Sequence, residues 1–271
     1  MWHDFYSPMD KMKITFLGTG TSVGIPAIGC GCRVCRSDDP RDQRLRCSVW
    51  MQTDALSWII DTGPDLRQQC LRAGITGIDA VLLTHAHTDH ITGFDDLRRF
   101  AWLRGGELPV HANAPTLAVL RKMFGFAFDP ALRTPGYLHA LPEVADKPFF
   151  LGNTLVTPVP VVHGNIQAIG YRFDLAGGGS VFYASDMKSL PEASRALLDG
   201  LDLLIIDGLR YREHPTHMSI GEAVALSAEV RASATYLTHF SCDVCHAEAE
   251  LELPEGVHLA YDTLELTLSC A

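Results

Sequence analysis

Residues 84–90 read Thr-His-Ala-His-Thr-Asp-His, so three imidazoles and a carboxylate fall within six positions, directly after the apolar run 80–83. These donors suit zinc, iron or manganese. Alternate residues of an extended segment share a face, which lets His85 and His87 project together, while Asp89 and His90 in the following turn can address a second ion. A separate loop carries Cys30, Cys32 and Cys35 as C-x-C-x-x-C between glycines. In a chain of this size such close spacing reads as metal binding before it reads as disulfides. Three thiolates need one more ligand to close a tetrahedral zinc site, and Cys242, Cys245 and His246 share a loop that can supply it. Cys47, Cys70 and Cys270 have no ligand spacing and read as core or surface thiols.

The elements that must hold these groups are legible as alternating strands, turns and helices. Residues 13–17 form a strand pattern that runs into the glycine-rich turn GTGTSVGIPAIG; 48–53 and 56–60 read as a hairpin ending at Asp61. Helical spacing over 65–73 stops at Gly74, and 80–83 is a buried strand that delivers the histidine cluster. Further strands are expected at 156–162, 170–173, 180–183 and 203–206. Ser219 with Glu222 three residues later is a capping box opening a helix to about Arg231, which feeds a strand at 235–237. Two groups of strands with helices between them suggest a mixed α+β or α/β fold, with a four-layer αββα sandwich ranked beside other mixed folds. We read a tail at 1–11 and one domain over 12–271, without repeats or low-complexity linkers.

Composition narrows the function classes. The chain has 271 residues, 47% hydrophobic and 20% charged, enough for a substantial core without covalent staples. Its apolar runs are only strand length, and its first residues lack a secretory pattern; a cytoplasmic protein with no membrane partner is expected. With 22 basic against 32 acidic residues the net charge is −10, which disfavours extended nucleic acid as a partner.

The HAHTDH segment matches the HxHxDH motif of the metallo-β-lactamase-fold hydrolases. Asp61 in IIDTG, His163 in PVPVVHG, Asp186 in FYASDM and His239 in YLTHFS resemble that family's remaining positions, in order. The resemblance implies that His85, His87 and His163 bind one divalent ion, Asp89, His90 and His239 a second, and that Asp186 bridges the two. It also implies a supporting carboxylate at Asp61, which orients a ligand histidine. An early GTG, the cysteine triplet and LTH resemble one branch, the phosphoribosyl cyclic phosphate phosphodiesterases. That branch has histidine where this chain has Cys242, so Cys242 is the first expectation for the fourth ligand of a structural Zn2+, ahead of Cys245. His217 in HPTHMS resembles a histidine that the branch places beside its metals.

The expected activity is hydrolysis of a small cyclic phosphodiester or nucleotide-like substrate by a metal-bridging hydroxide, with Mn2+ or Zn2+ in the active site and His217 and Asp89 as its working groups. Arg210 and Arg212 are expected at the solvated surface, Asp207 at a strand end, and Asp95, Asp96 and Arg98 around a helix above the site. Phe124, Phe126, Phe128 and Tyr137, within 109–150, are candidates for a pocket wall or an interface, with ordinary core packing the favoured reading for any one of them, and a homodimer is compatible with the family. The alternatives are a tRNA 3′-processing-type endonuclease, whose basic arm has no counterpart here, and a thioester hydrolase, for which the cysteine triplet is not expected. A β-lactamase proper would call for an export signal. The non-enzyme alternative is a binding protein of the quinone-cofactor biosynthesis type, which departs from the full ligand motif that this chain keeps.

Overall fold

The computed structural model describes residues 11–132, 134 and 136–269; Cys270 lies outside them. One seven-stranded sheet contains β1 (Lys11–Gly18), β2 (Ser48–Gln52), β3 (Ser57–Ile60), β4 (Ala80–Leu82), β5 (Leu108–Ala112) and β6 (Ala140–Val144). The other contains β7 (Phe149–Leu151), β8 (Thr154–His163), β9 (Ile166–Asp174), β10 (Ser180–Ala184), β11 (Leu203–Asp207), β12 (Ala234–Thr238) and β13 (Val257–Leu259). The last strand, β14 (Glu265–Ser269), returns to the first sheet and pairs antiparallel with β1.

Side-chain alternation explains why the two sheets stack with helices outside. Ile14, Phe16, Trp58, Ile60 and Leu82 meet Tyr171, Phe173, Val181, Tyr183 and Ile205 between the sheets. The intervening residues Leu17, Ile59 and Val81 point the other way, onto α1 (Leu66–Arg72), α2 (Thr88–Ile91), α3 (Arg98–Arg104), α4 (Ala114–Met123) and α5 (Gly125–Phe128). Phe182, Leu204 and Ile206 likewise share a core with α7 (Ile220–Val230) and α8 (His246–Glu252), while α6 (Glu192–Arg195) is tied to β8 by the Ser194 hydroxyl, which donates to the Pro160 carbonyl. Helix, sheet, sheet, helix is the expected sandwich. Its anticipated capping box is present, with Ser219 accepting from the Glu222 amide and Glu222 reaching back.

Several elements differ from the sequence reading. β1 takes in Lys11, and β5, β6, β7, β13 and β14 were not anticipated. The aromatic segment does not wall the site. Phe124 and Phe128 pack on Phe94, with ring centroids 5.1 and 5.8 Å apart, in the core under the first helix layer. No helix of the described residues is long and apolar enough to cross a membrane.

Candidate metal centre

The site collects at the ends of strands from both sheets. β3 ends into Asp61, fully buried and in the left-handed region at φ 64°, a conformation that aspartate tolerates better than most residues. Its Oδ1 accepts the Thr84 amide at 2.9 Å, and its Oδ2 receives the Thr84 hydroxyl at 2.9 Å and His90 Nδ1 at 2.8 Å. Having given its proton to Asp61, the Thr84 hydroxyl can only accept from His85 Nδ1, 3.0 Å away. One carboxylate therefore fixes the tautomers of two imidazoles and leaves both Nε2 lone pairs facing inward. His163 Nδ1 donates to the Thr216 carbonyl at 2.9 Å with the same result. Gly63, in the same turn, is small for a steric reason: a Cβ there would lie 2.1 Å from the Asp89 carbonyl oxygen.

These constraints bring the expected donors into two groups. His87 Nδ1 lies 2.9 Å from His85 Nε2 and 3.2 Å from His163 Nε2. His90 Nε2 lies 3.1 Å from both Asp89 Oδ2 and Asp186 Oδ1, and His239 Nε2 is 3.3 Å from Asp186 Oδ2. Within each group the donor atoms all fall within 4.8 Å of one another, and Asp186 belongs to both. His90 Nε2, Asp186 Oδ1 and His239 Nε2 are buried yet make no hydrogen bond. Buried polar atoms left unpaired cost about 1–3 kcal/mol each, and cations are what this donor set lacks. The residues fit a pair of divalent ions. Their charges are already strongly coupled. Burial lowers the His85 pKa, with His90 adding to it, whereas burial of Asp186 is outweighed by the charges of His239 and His90, which hold its carboxyl well below the usual range.

His217 joins the same cleft. Its Nδ1 is 2.6 Å from Asp207 Oδ2, its ring stacks on His239 with centroids 4.8 Å apart and planes 10° apart, and its Nε2 stands 4.0 Å from Asp186 Oδ2. Asp207 does more than finish a strand. Fully buried at the end of β11, it accepts the Met187 and Leu209 amides at 3.1 and 3.0 Å while gripping His217. The signal was present in sequence, since LLII-Asp repeats the pattern of WII-Asp61. Burial, and next the charge of His239, lowers His217 to about 4; burial raises Asp207. Arg210 and Arg212 turn away, Arg210 to the carbonyls of Arg212 and Glu213, Arg212 to Asp243. Asp95 pairs with Arg98 at 3.2 Å, away from the donors.

The second cluster also assembles. The sulfurs of Cys30, Cys32, Cys35 and Cys242 lie within 4.8 Å of one another, close to the roughly 3.8 Å edge of a tetrahedron with 2.3 Å Zn–S bonds. The Cys35 and Ala27 amides donate to Cys32 Sγ and Cys35 Sγ, both at 3.4 Å, and the Cys35 amide is the main reason the Cys32 thiol is lowered to about 7. Thiolates are the metal-binding form, so this set fits zinc. Cys245 and His246 stand outside that group. Cys245 Sγ is 4.0 Å from Asp42 Oδ2, and the His246 ring packs edge-on against Tyr261 with centroids 5.6 Å apart. Cys47 and Cys70 are buried thiols.

Residues 58–240 match the beta-lactamase superfamily domain, and the chain belongs to that family. Its fold and donor set are those of a metallo-β-lactamase-fold, metal-dependent hydrolase. Within that class it stands near the PhnP-family branch: a solved structure described as a new diphosphatase from that family shares 41% identity and a TM-score of 0.88, covering 97% of this chain and 100% of that one. An octanoyltransferase of Porphyromonas gingivalis (strain ATCC BAA-308 / W83) is 41% identical over 260 residues, 94% of this chain. The chain spans only 51% of that relative's length. Zn2+-bound PqqB from Methylobacterium extorquens shares the fold at 19% identity and TM-score 0.77, covering 94% of this chain and 100% of that one.

Proposed function

We propose that this hydrolase is a dinuclear metal-dependent phosphodiesterase acting on small cyclic phosphodiesters such as phosphoribosyl cyclic phosphate or 2′,3′-cyclic nucleotides. The observation that carries this reading is the juxtaposition of a complete two-ion donor set with a carboxylate-held histidine, His217, on one cleft. His85, His87 and His163 would hold one ion, Asp89, His90 and His239 the other, with Asp186 shared; Cys30, Cys32, Cys35 and Cys242 would hold a structural Zn2+. Bound there, two Mn2+ or Zn2+ ions supply Lewis acidity and neutralise charge on a phosphoryl group.

The chain's own residues set the rest. The cleft, about 530 Å3, suits a small molecule, and Ser22, Thr88, Asn165 and Thr216 are the uncharged polar groups around the donors. Among the described residues its lining has no lysine or arginine, so a single phosphodiester charge is better matched than a polyanion. An extended nucleic acid would also meet the net charge of −10. His217 rests neutral. A phosphoryl anion brought against Nε2 favours uptake of a solvent proton there, with Asp207 holding Nδ1, and His217 then delivers that proton to the departing alkoxide. The 41% identity to a PhnP-family diphosphatase supports a phosphorus–oxygen bond as the target.

The name octanoyltransferase, borne by a relative of twice this span, favours a second reading in which an acyl thioester is the substrate. Rates on a 2′,3′-cyclic nucleotide, phosphoribosyl cyclic phosphate, bis(p-nitrophenyl) phosphate, a precursor tRNA and octanoyl thioester separate the readings. The phosphodiesterase reading predicts cyclic-phosphate hydrolysis well above the others; preferential thioester cleavage overturns it. On the cyclic nucleotide, His217→Ala lowers turnover about 10²- to 10⁴-fold with metal content unchanged. Unaltered turnover removes the acid role.

A further inference from the structure

Among the buried histidines of the centre, His239 is held differently. His85, His90 and His163 each have the second ring nitrogen tied to Thr84, Asp61 or Thr216, at 2.8–3.0 Å. His239 Nδ1, by contrast, is buried without a hydrogen bond. Its placement depends on backbone, and that backbone is in the left-handed region at φ 63°, which is costly for a non-glycine residue unless its surroundings enforce it.

The surroundings lead to the cysteines. Directly after His239, the Phe240 amide donates to the Thr19 carbonyl and the Thr21 amide to the Phe240 carbonyl, each at 2.9 Å. This short ladder joins the His239 segment to the strand that runs on into the cysteine loop. Cys242, three residues beyond His239, meets Cys30, Cys32 and Cys35 from that same loop. An ion on four thiolates would thus close a ring of chain with His239 in it. The segment is also held to the loop after β11, where the Gly208 amide donates to the Thr238 carbonyl and the Ser241 amide to the Leu209 carbonyl, each at 2.9 Å, and by the buried Arg44, which donates to the Val244 carbonyl at 2.9 Å and the Ser241 carbonyl at 3.5 Å while paired with Asp42. Those bonds grip the backbone on either side of His239, while its ring has stacking contacts with His217 and His90 but no hydrogen bond at Nδ1.

From this we infer that the cysteine cluster is the positioning element of one active-site ion only. Its occupancy fixes His239 and so sustains the site formed with Asp89, His90 and Asp186, while the site of His85, His87 and His163 is independent of it. The inference rests on the proposed ion binding at both clusters.

The test uses the full chain with zinc in the cysteine cluster and Mn2+ in the active site, read by metal analysis and by electron paramagnetic resonance. In the wild-type protein a third ion resistant to Mn2+ exchange establishes the underlying reading; if the cysteines carry no ion, that reading fails first and visibly. Ejecting the cluster zinc with p-hydroxymercuribenzoate, or removing a ligand in Cys32→Ser, should then convert the spin-coupled dimanganese signal into that of one isolated Mn2+ per chain. His239→Ala should give the same one-Mn2+ signal with the cluster zinc kept. A cluster-free protein that retains two coupled Mn2+ ions overturns the inference and assigns His239 to the Arg44 clamp. Loss of both Mn2+ ions together overturns it as well. The mercurial arm acts on protein that is already folded, so misfolding of Cys32→Ser does not blur the outcome.

Discussion

The two clusters are fixed by opposite means. The histidine–aspartate donors come from strand ends spread over both sheets, and each core they emerge from is closed by large apolar side chains. Most of their rings are set by hydrogen bonds to groups that are not themselves donors, Asp61, Thr84 and Thr216. The cysteine cluster has three of its sulfurs on one short loop, and its satellite core contains just Ile25, Val34 and Cys35 as fully buried members. Most of the first centre is preorganised by the fold; the second, on the inference above, would supply order to the chain around it once it holds an ion. That contrast sets a site whose chemistry needs fixed geometry beside one whose donors are four thiols, three of them partly exposed.

The largest effect that can break this comparison is Asp186→Ala. Because Asp186 serves both groups, its loss should remove one or both active-site ions and lower turnover by about 10³-fold or more, while the cysteine-bound ion stays. Full metal content would remove Asp186 as the shared ligand. A smaller effect is expected from Asp61→Asn, which keeps the shape and a tolerance for the left-handed backbone at φ 64° but weakens the hold on His90. Mn2+ affinity measured by titration should fall about 10- to 100-fold at the active site with no change at the cysteines. Equal loss at both clusters would mean that Asp61 supports the fold and not the ligand geometry. The smallest effect belongs to Cys242→His. Imidazole is also a zinc ligand, so metal count should hold and activity change by no more than about threefold; loss of the third ion would show that the all-thiolate set is required.

Much of the centre was legible because its donors follow apolar strands that announce themselves. HAHTDH after AVLL, Asp61 after WII and Asp186 after VFYAS are local patterns, and each follows a short, continuously buried apolar strand. What the sequence withheld depends on contacts between distant segments. Asp207 repeats the strand-end pattern, but its partner His217 lies across a loop that no periodicity describes. Arg44 and Asp42 look like solvated loop charges, yet both are buried because carbonyls from 241–244 and the His246 amide complete their bonding. The missed strands are short or carry proline. Pro109 and Pro142 sit inside β5 and β6, and proline lacks the amide that strand patterns assume. β8 tolerates Pro158 and Pro160 because β7 pairs only with residues 154–156, so these prolines fall beyond the covered part of its outer edge. The aromatics of 124–128 could be given core packing as the favoured role but not a partner, because Phe94 belongs to a different helical turn about thirty residues earlier.

Catalysis is proposed to belong to a two-ion centre that acts on phosphodiesters and lies apart from the cysteine cluster. The most direct test is a titration of chelator-treated protein with Mn2+, following hydrolysis of a 2′,3′-cyclic nucleotide against ions bound per chain, with zinc kept in the cysteine cluster. The account predicts that activity emerges as the second Mn2+ binds, at about three ions per chain in total. Full activity with a single Mn2+ bound, or none on the cyclic nucleotide at any occupancy, would contradict it.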